Sequence, residues 1–192
     1  MSEMERQLAR LERAVAAQGC PVLGALRPGI GKSALESVVR AGDVPQDVVE
    51  LFAWRNGTDL SRGTLGELWI LPGFYLLSYE EGVAMSKDPE YSADWPEGAF
   101  PVFASGAGSY KLVCPADEPD SQAPVCDYSK DEFEVQVEFR SLRAMIRTIA
   151  EAYEQRAFFV EGGYLDADWP LWRGIAAQLN PECPAWGGAI GH

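Results

Sequence analysis

An α+β fold is predicted, with an antiparallel sheet of about six strands flanked by helices. Three observations predict it. Apolar residues recur at helical spacing near both ends of the chain. Short apolar runs broken by turn residues fill the middle. Residues 132–139 alternate strictly between apolar side chains and Glu or Gln. Helices and strands are thus segregated along the sequence, where a parallel βαβ sheet would alternate them.

Residues 3–18 read as a helix because Met4, Leu8, Leu11 and Val15 share one side, and Gly19, Cys20 and Pro21 end it. The Gly- and Pro-rich stretch 21–31 reads as a linker onto the main body. Ser33 to Ala41 form a second helix with Leu35, Val38 and Val39 on its apolar side, closed by Gly42. Asp43 and Pro45 open a third, continued by Val48, Leu51, Phe52 and Arg55 and stopped by Asn56-Gly57. Leu68 to Leu71 and Phe74 to Leu77 read as strands around Pro72-Gly73. Ser78-Tyr79-Glu80-Glu81 is a capping box, since the Ser oxygen and the Glu carboxylate each satisfy a free N–H of the helix that follows. Residues 87–98 read as a loop.

Phe100 to Ala104 and Tyr110 to Cys114 read as paired strands around a Gly- and Ser-rich turn, with Pro124 to Tyr128 a further strand. In Glu132 to Phe139, the residues Phe133, Val135, Val137 and Phe139 are expected in the core, leaving Glu132, Glu134, Gln136 and Glu138 in water. Ser141 starts a long helix whose apolar stripe is Leu142, Met145, Ile146, Ile149, Ala150 and Tyr153. Asp166 to Leu179 is a last amphipathic segment, with Trp169, Trp172, Ile175 and Leu179. The tail from Asn180 reads as irregular.

With 192 residues, the chain is of single-domain size and buries a core without help from disulfides or metals. Sixteen Lys and Arg face twenty-nine Asp and Glu, a formal net charge of −13. That field repels nucleic acid and anionic lipid and speeds encounter with a basic protein; its simpler role is solubility. The charged start at Met1 to Arg6 is unlike a signal peptide, and no run of roughly 18 apolar residues is present. A cytoplasmic protein with reduced thiols and no membrane span is therefore expected. Of the four cysteines, none lies in a C-x-x-C pair, and Cys114 and Cys126 flank a strand connection that could bring them together.

Catalytic motifs fail on their details. Pro28-Gly29-Ile30-Gly31-Lys32-Ser33 ends like a phosphate-binding loop, but the first required Gly falls on Leu26 and no solid strand leads in. The acids of 127–138 are adjacent along one strand region, not opposed across a cleft as hydrolytic pairs are. The single histidine is His192, the final residue, so a triad or a His-based metal site within one chain is not expected. No catalytic residue, metal or cofactor is predicted. The candidate contact residues are Trp54, Trp69 and Trp95, near turns or edges, and Glu132, Glu134 and Glu138, on one strand face. Core packing for the tryptophans and a solvated face for the acids are their alternative roles.

The stretch from Gly42-Asp43-Val44-Pro45 through Phe52-Ala53-Trp54-Arg55-Asn56-Gly57 resembles the opening signature of the SUKH superfamily, a Pro-led helix ending in Asn-Gly. Trp69, Leu76-Leu77-Ser78-Tyr79-Glu80-Glu81, Phe100-Pro101-Val102-Phe103-Ala104, the acidic strand and the helix from Ser141 to Arg156 are similar to its later elements in order and spacing. The likeness covers about residues 26–158. It leaves the N-terminal helix (1–20) and a C-terminal helical extension and tail (159–192) outside. It implies a protein-binding module with no catalytic residue to carry over. Bacterial members are thought to neutralise toxins, often nucleases, and fungal members act in cell-wall signalling. The function expected is therefore an immunity-type protein that blocks a basic toxin, with a regulatory scaffold as the alternative. A nucleotide-dependent or carboxylate-based enzyme is the lesser alternative.

Overall fold

The computed structural model describes residues 1–39, 44–116, 122–131 and 134–187, with backbone alone for Lys32, Glu36, Val38, Val39 and Glu134. The helices are α1 (Glu3–Ala17), α2 (Val22–Ala25), α3 (Lys32–Val39), α4 (Gln46–Trp54), α5 (Leu65–Leu68), α6 (Tyr79–Lys87), α7 (Pro89–Ser92), α8 (Leu142–Glu154) and α9 (Trp169–Leu179). The strands are β1 (Leu26–Pro28), β2 (Arg55–Thr58), β3 (Tyr75–Leu76), β4 (Phe100–Ala104), β5 (Ser109–Val113), β6 (Val125–Ser129), β7 (Glu134–Phe139), β8 (Phe158–Glu161) and β9 (Tyr164–Ala167). Strands β3 to β7 form one antiparallel sheet in chain order; β1 pairs with β2, and β8 with β9, in two small ribbons. The α+β class predicted from sequence is what the chain adopts. Its principal sheet has five strands.

Local chemistry sets the helix ends. Ser2 and Glu5 close a capping box on α1, and Ser78 and Glu81 close the expected one on α6, where the Ser78 amide donates to Glu81 Oε2 at 2.7 Å. Ser141 caps α8, accepting from the Ala144 amide at 3.1 Å. Helix α4 ends at Trp54, earlier than expected, and Arg55 and the Asn56-Gly57 pair lie in strand β2. Asn56 Oδ1 accepts from the Tyr79 amide at 2.8 Å, and Gly57 has φ +84° beside the Ser78 backbone. The end of one predicted element therefore anchors the start of another.

The apolar stripes of α1, α4, α8 and α9 share one core with the sheet residues Phe103, Val113, Val125 and Phe139. The opposite sheet face is covered as well. Trp95 packs there with Leu112, Cys114, Cys126 and Tyr128, joined by half-buried Val135 and Val137. Strand β7 thus departs from the alternation read in sequence. A register shift in the β6–β7 pairing sets Val125 opposite Phe139 but Cys126 opposite Val137. Phe139 therefore joins the helix-side core, while Val135 and Val137 face Trp95.

Several expectations change. The 21–31 linker holds α2 and β1, and β1 pairs with β2. Leu68 ends a short helix; Leu71 and Phe74 make only an isolated bridge around Pro72-Gly73. The 87–98 loop contains α7 and delivers Trp95 to the core. A β8–β9 hairpin turns through Gly162 and Gly163, both with positive φ, at a place given no strands by sequence. The tail after Asn180 is irregular in its described part but packed, since Asn180 and Cys183 are buried and Trp186 contacts the core.

Candidate functional site

A cavity of about 530 Å³ opens on the helix side of the sheet, between β5, β6 and β7 and a wall formed by α9 and the following segment. Register builds its floor. Lys111 on β5 pairs with Asp127 on β6, which pairs with Gln136 on β7, so the three side chains stand in one row across the sheet. Glu138, two residues beyond Gln136, joins the same group. Lys111 Nζ donates to Asp127 Oδ1 at 2.8 Å and to Glu138 Oε2 at 2.7 Å. It also lies 4.6 Å from the centre of the Phe74 ring, a cation–π contact.

Lys111 is 5% exposed and Glu138 9%. Burial alone would discharge the Lys111 ammonium, but the two carboxylates more than offset this and its pKa is raised. Burial pushes the Glu138 carboxyl up; Lys111 offsets only part of that, and the neighbouring Asp127 charge adds to it. One ammonium serves two carboxylates on the floor, and the Arg173 guanidinium also lines the cavity, so these four charged groups balance in formal charge.

Aromatic rings form the wall. Trp172 and Trp186 meet edge-on at 5.6 Å, and Trp186 lies 5.7 Å from Phe139. Trp186 Nε1 donates to the Glu138 carbonyl at 2.6 Å, fixing the wall to the strand. Asp168 caps α9 by accepting from the Leu171 amide, and Pro170 occupies its first turn. That cap places Trp169 on the rim, 52% exposed, with Arg173 one turn on. An acid- and amide-bearing floor with an exposed indole at its edge can hold a polar or cationic group while an apolar body stacks on Trp169.

Of the candidate contact residues with described side chains, Glu138 is the one in this cavity, and it is buried where a water-facing position was expected. The covering is the physical reason: α9 and Trp186, distant in sequence, lie over that face. Glu132 lies outside the described residues, and of Glu134 only the backbone in β7 is described. Trp54 is half-buried and held, with Nε1 donating to Glu12 Oε2 at 2.7 Å and the Arg55 guanidinium over its ring. Trp69 is half-buried against the main core. Trp95, 7% exposed, is a core residue of the far sheet face. The three tryptophans are therefore dispersed.

Sequence reasoning missed Lys111 and Trp169 as site residues and set Asp127 aside with the other acids of 127–138. A lysine in the middle of the apolar strand 109–113 was the available signal, because a buried Lys needs a counter-charge. Among the described residues, no group of His, Cys, Asp and Glu converges as a metal site, and no helix is long and apolar enough to cross a membrane. His192 lies outside the described residues. Gly29, in the stretch resembling a phosphate loop, has a packing role: a Cβ there would fall 1.9 Å from the Ala53 carbonyl oxygen. Compared with known proteins, the chain matches no family model and no curated protein.

Proposed function

We propose that this chain is a protein-binding module of immunity type, which holds a basic, nuclease-type toxin by docking it over the mouth of the Lys111 cavity. The observation that carries the reading is Trp169, half exposed at the rim of a cavity lined by the Lys111–Asp127–Glu138 cluster and Arg173. Exposed indoles beside buried charged groups are the composition of interface anchors. The net charge of −13 supports the choice of partner, because it attracts a basic surface over a distance and raises the association rate. The SUKH-like order of elements supports the same reading. The pocket chemistry supplies binding and orientation, with no nucleophile or proton shuttle required.

Purification of the tagged chain from its native cell, followed by binding kinetics with the partner recovered, tests this. The expected partner is basic and toxic when expressed alone, and growth is restored by co-expression of this chain. Its association rate should fall at least about tenfold between low and high salt, as electrostatically steered encounters do. Trp169→Ala should speed dissociation with little change in association. A partner bound at a salt-insensitive rate, or one indifferent to Trp169→Ala, would remove the docking model. An endogenous, non-toxic partner would favour the regulatory-scaffold alternative.

A further inference from the structure

We infer that Cys114 and Cys126 are a redox pair that closes to a disulfide between β5 and β6. The inference is independent of the binding reading above. Leu112 faces Cys126 across the two strands, and the Cys114 amide donates to the Pro124 carbonyl at 2.8 Å just past the end of β5. The two thiols therefore sit diagonally on one face of the sheet. Their sulfurs are 2.7 Å apart, with the Cys114 S–H directed at Cys126. That separation is well inside ordinary sulfur–sulfur contact, between it and the ~2.05 Å of an S–S bond. Both side chains lie in one apolar cluster under Trp95 and Tyr128. By contrast, Cys20 and Cys183 are buried apart from this pair, and the Cys20 thiol meets the Tyr153 hydroxyl at 3.9 Å.

The environments of the two sulfurs also differ. Hydrogen bonding from Cys114 lowers the Cys126 thiol, while the same contact and burial push Cys114 strongly up. One proton shared between the two sulfurs lets one of them ionise as the attacking thiolate while the other keeps its proton as the resolving thiol. The oxidant proposed is hydrogen peroxide, small and neutral; Pro115 and Ala116, next to Cys114, are exposed. The thiolate of the pair takes one oxygen from peroxide, breaking the O–O bond and releasing hydroxide, and becomes a sulfenic acid. The other sulfur then attacks the sulfenic sulfur, its proton leaving with that oxygen as water, and the hydroxide takes up the proton lost when the first thiol ionised. In sum, two thiols are oxidised and one peroxide is reduced to two waters. The bond ties together the ends of the acidic 115–125 connection.

The test uses the full chain. Protein treated with stoichiometric peroxide is denatured in iodoacetamide and mapped by mass spectrometry. Expected is a species lighter by two hydrogens, with Cys114 and Cys126 in one linked peptide pair, Cys20 and Cys183 alkylated, and the link lost on reduction with dithiothreitol. Four alkylated cysteines, a link through Cys20 or Cys183, or Cys126 recovered only as sulfinic acid would each overturn the assignment.

Discussion

A buried ammonium survives only where its charge is met, and Lys111 is met twice, by Asp127 and by Glu138. Replacing it with the neutral, similarly shaped Met leaves the Glu138 carboxylate buried and uncompensated. Lys111→Met should therefore cost about 3–5 kcal/mol near pH 7, the usual penalty for breaking a buried pair from one side. The sign of the pH effect follows from Glu138. Its folded-state pKa is already raised above its unfolded value by burial, so proton uptake favours the native state. That contribution is complete below the ordinary carboxylate pKa of 4.5 and is lost as pH rises through the higher folded value. Without Lys111 the folded value rises further, so the variant's deficit should be largest at neutral pH and shrink as pH falls toward 4.5. Denaturant melts of both proteins across that range measure it; a deficit independent of pH would show that the carboxylate is not the unpaired charge. Gly57 is a second residue whose identity is dictated locally. Its φ of +84° is strained for other residues, and a Cβ would meet the Ser78 amide nitrogen at 2.6 Å. Gly57→Ala should destabilise by about 1–3 kcal/mol, the range for strained backbone, with the loss centred on the N-terminus of α6. Amide exchange at Tyr79 to Gly82 would report it.

Elements whose signals are local were legible in the sequence. The stripes of α1, α4 and α8 came from spacing alone, and the α6 boundary came from the Ser78–Glu81 pattern, now seen as a reciprocal pair of hydrogen bonds. Strands β4, β5 and β6 were placed by their turn residues. What failed depended on distant chain. Alternation along 132–139 correctly marked a strand, but not which face would be covered, because that depends on Trp95 on one side and α9 with Trp186 on the other. The bulge that moves Phe139 to the helix side leaves no mark in the local pattern either. The β8–β9 hairpin is a different kind of miss. Gly162-Gly163 between Phe158–Glu161 and Tyr164–Ala167 is an open hairpin signal, lost because the amphipathic segment read from Asp166 takes in the end of the second strand. Asp168 does cap that helix; Asp166 belongs to the strand before it. The site was the least legible level, since it assembles Lys111, Asp127, Glu138 and Trp169 from four elements and only their registry brings them together.

Across the whole molecule, the segments on either side of residues 26–158 pack into the same core. Helix α1 buries Met4, Leu8, Leu11 and Val15, each at most 1% exposed, in the core shared with α8. At roughly 1.5–3 kcal/mol for each fully buried side chain, these four alone amount to about 6–12 kcal/mol, comparable to the whole stability of an ordinary domain. Arg10 bridges α1 to Glu151 and Glu154 on α8, but these partly exposed ion pairs are worth less than about 1 kcal/mol each and are secondary to the apolar contact. On the other flank, Trp172, Ile175 and Ala176 of α9 are buried, and Asn180 Nδ2 donates to Thr148 Oγ1 of α8 at 3.0 Å. A fragment of residues 26–158 would therefore expose one side of α8 and the helix face of the sheet at once, with Glu138 and Lys111 newly in water. It should lack a cooperative unfolding transition and aggregate, whereas the full chain melts as a unit. Circular dichroism melts of the fragment and the full chain decide this. A fragment that unfolds cooperatively near the full chain's midpoint would mean that α1 and α9 decorate the core, and the cavity walled by α9 would lose its claim to be built into the fold.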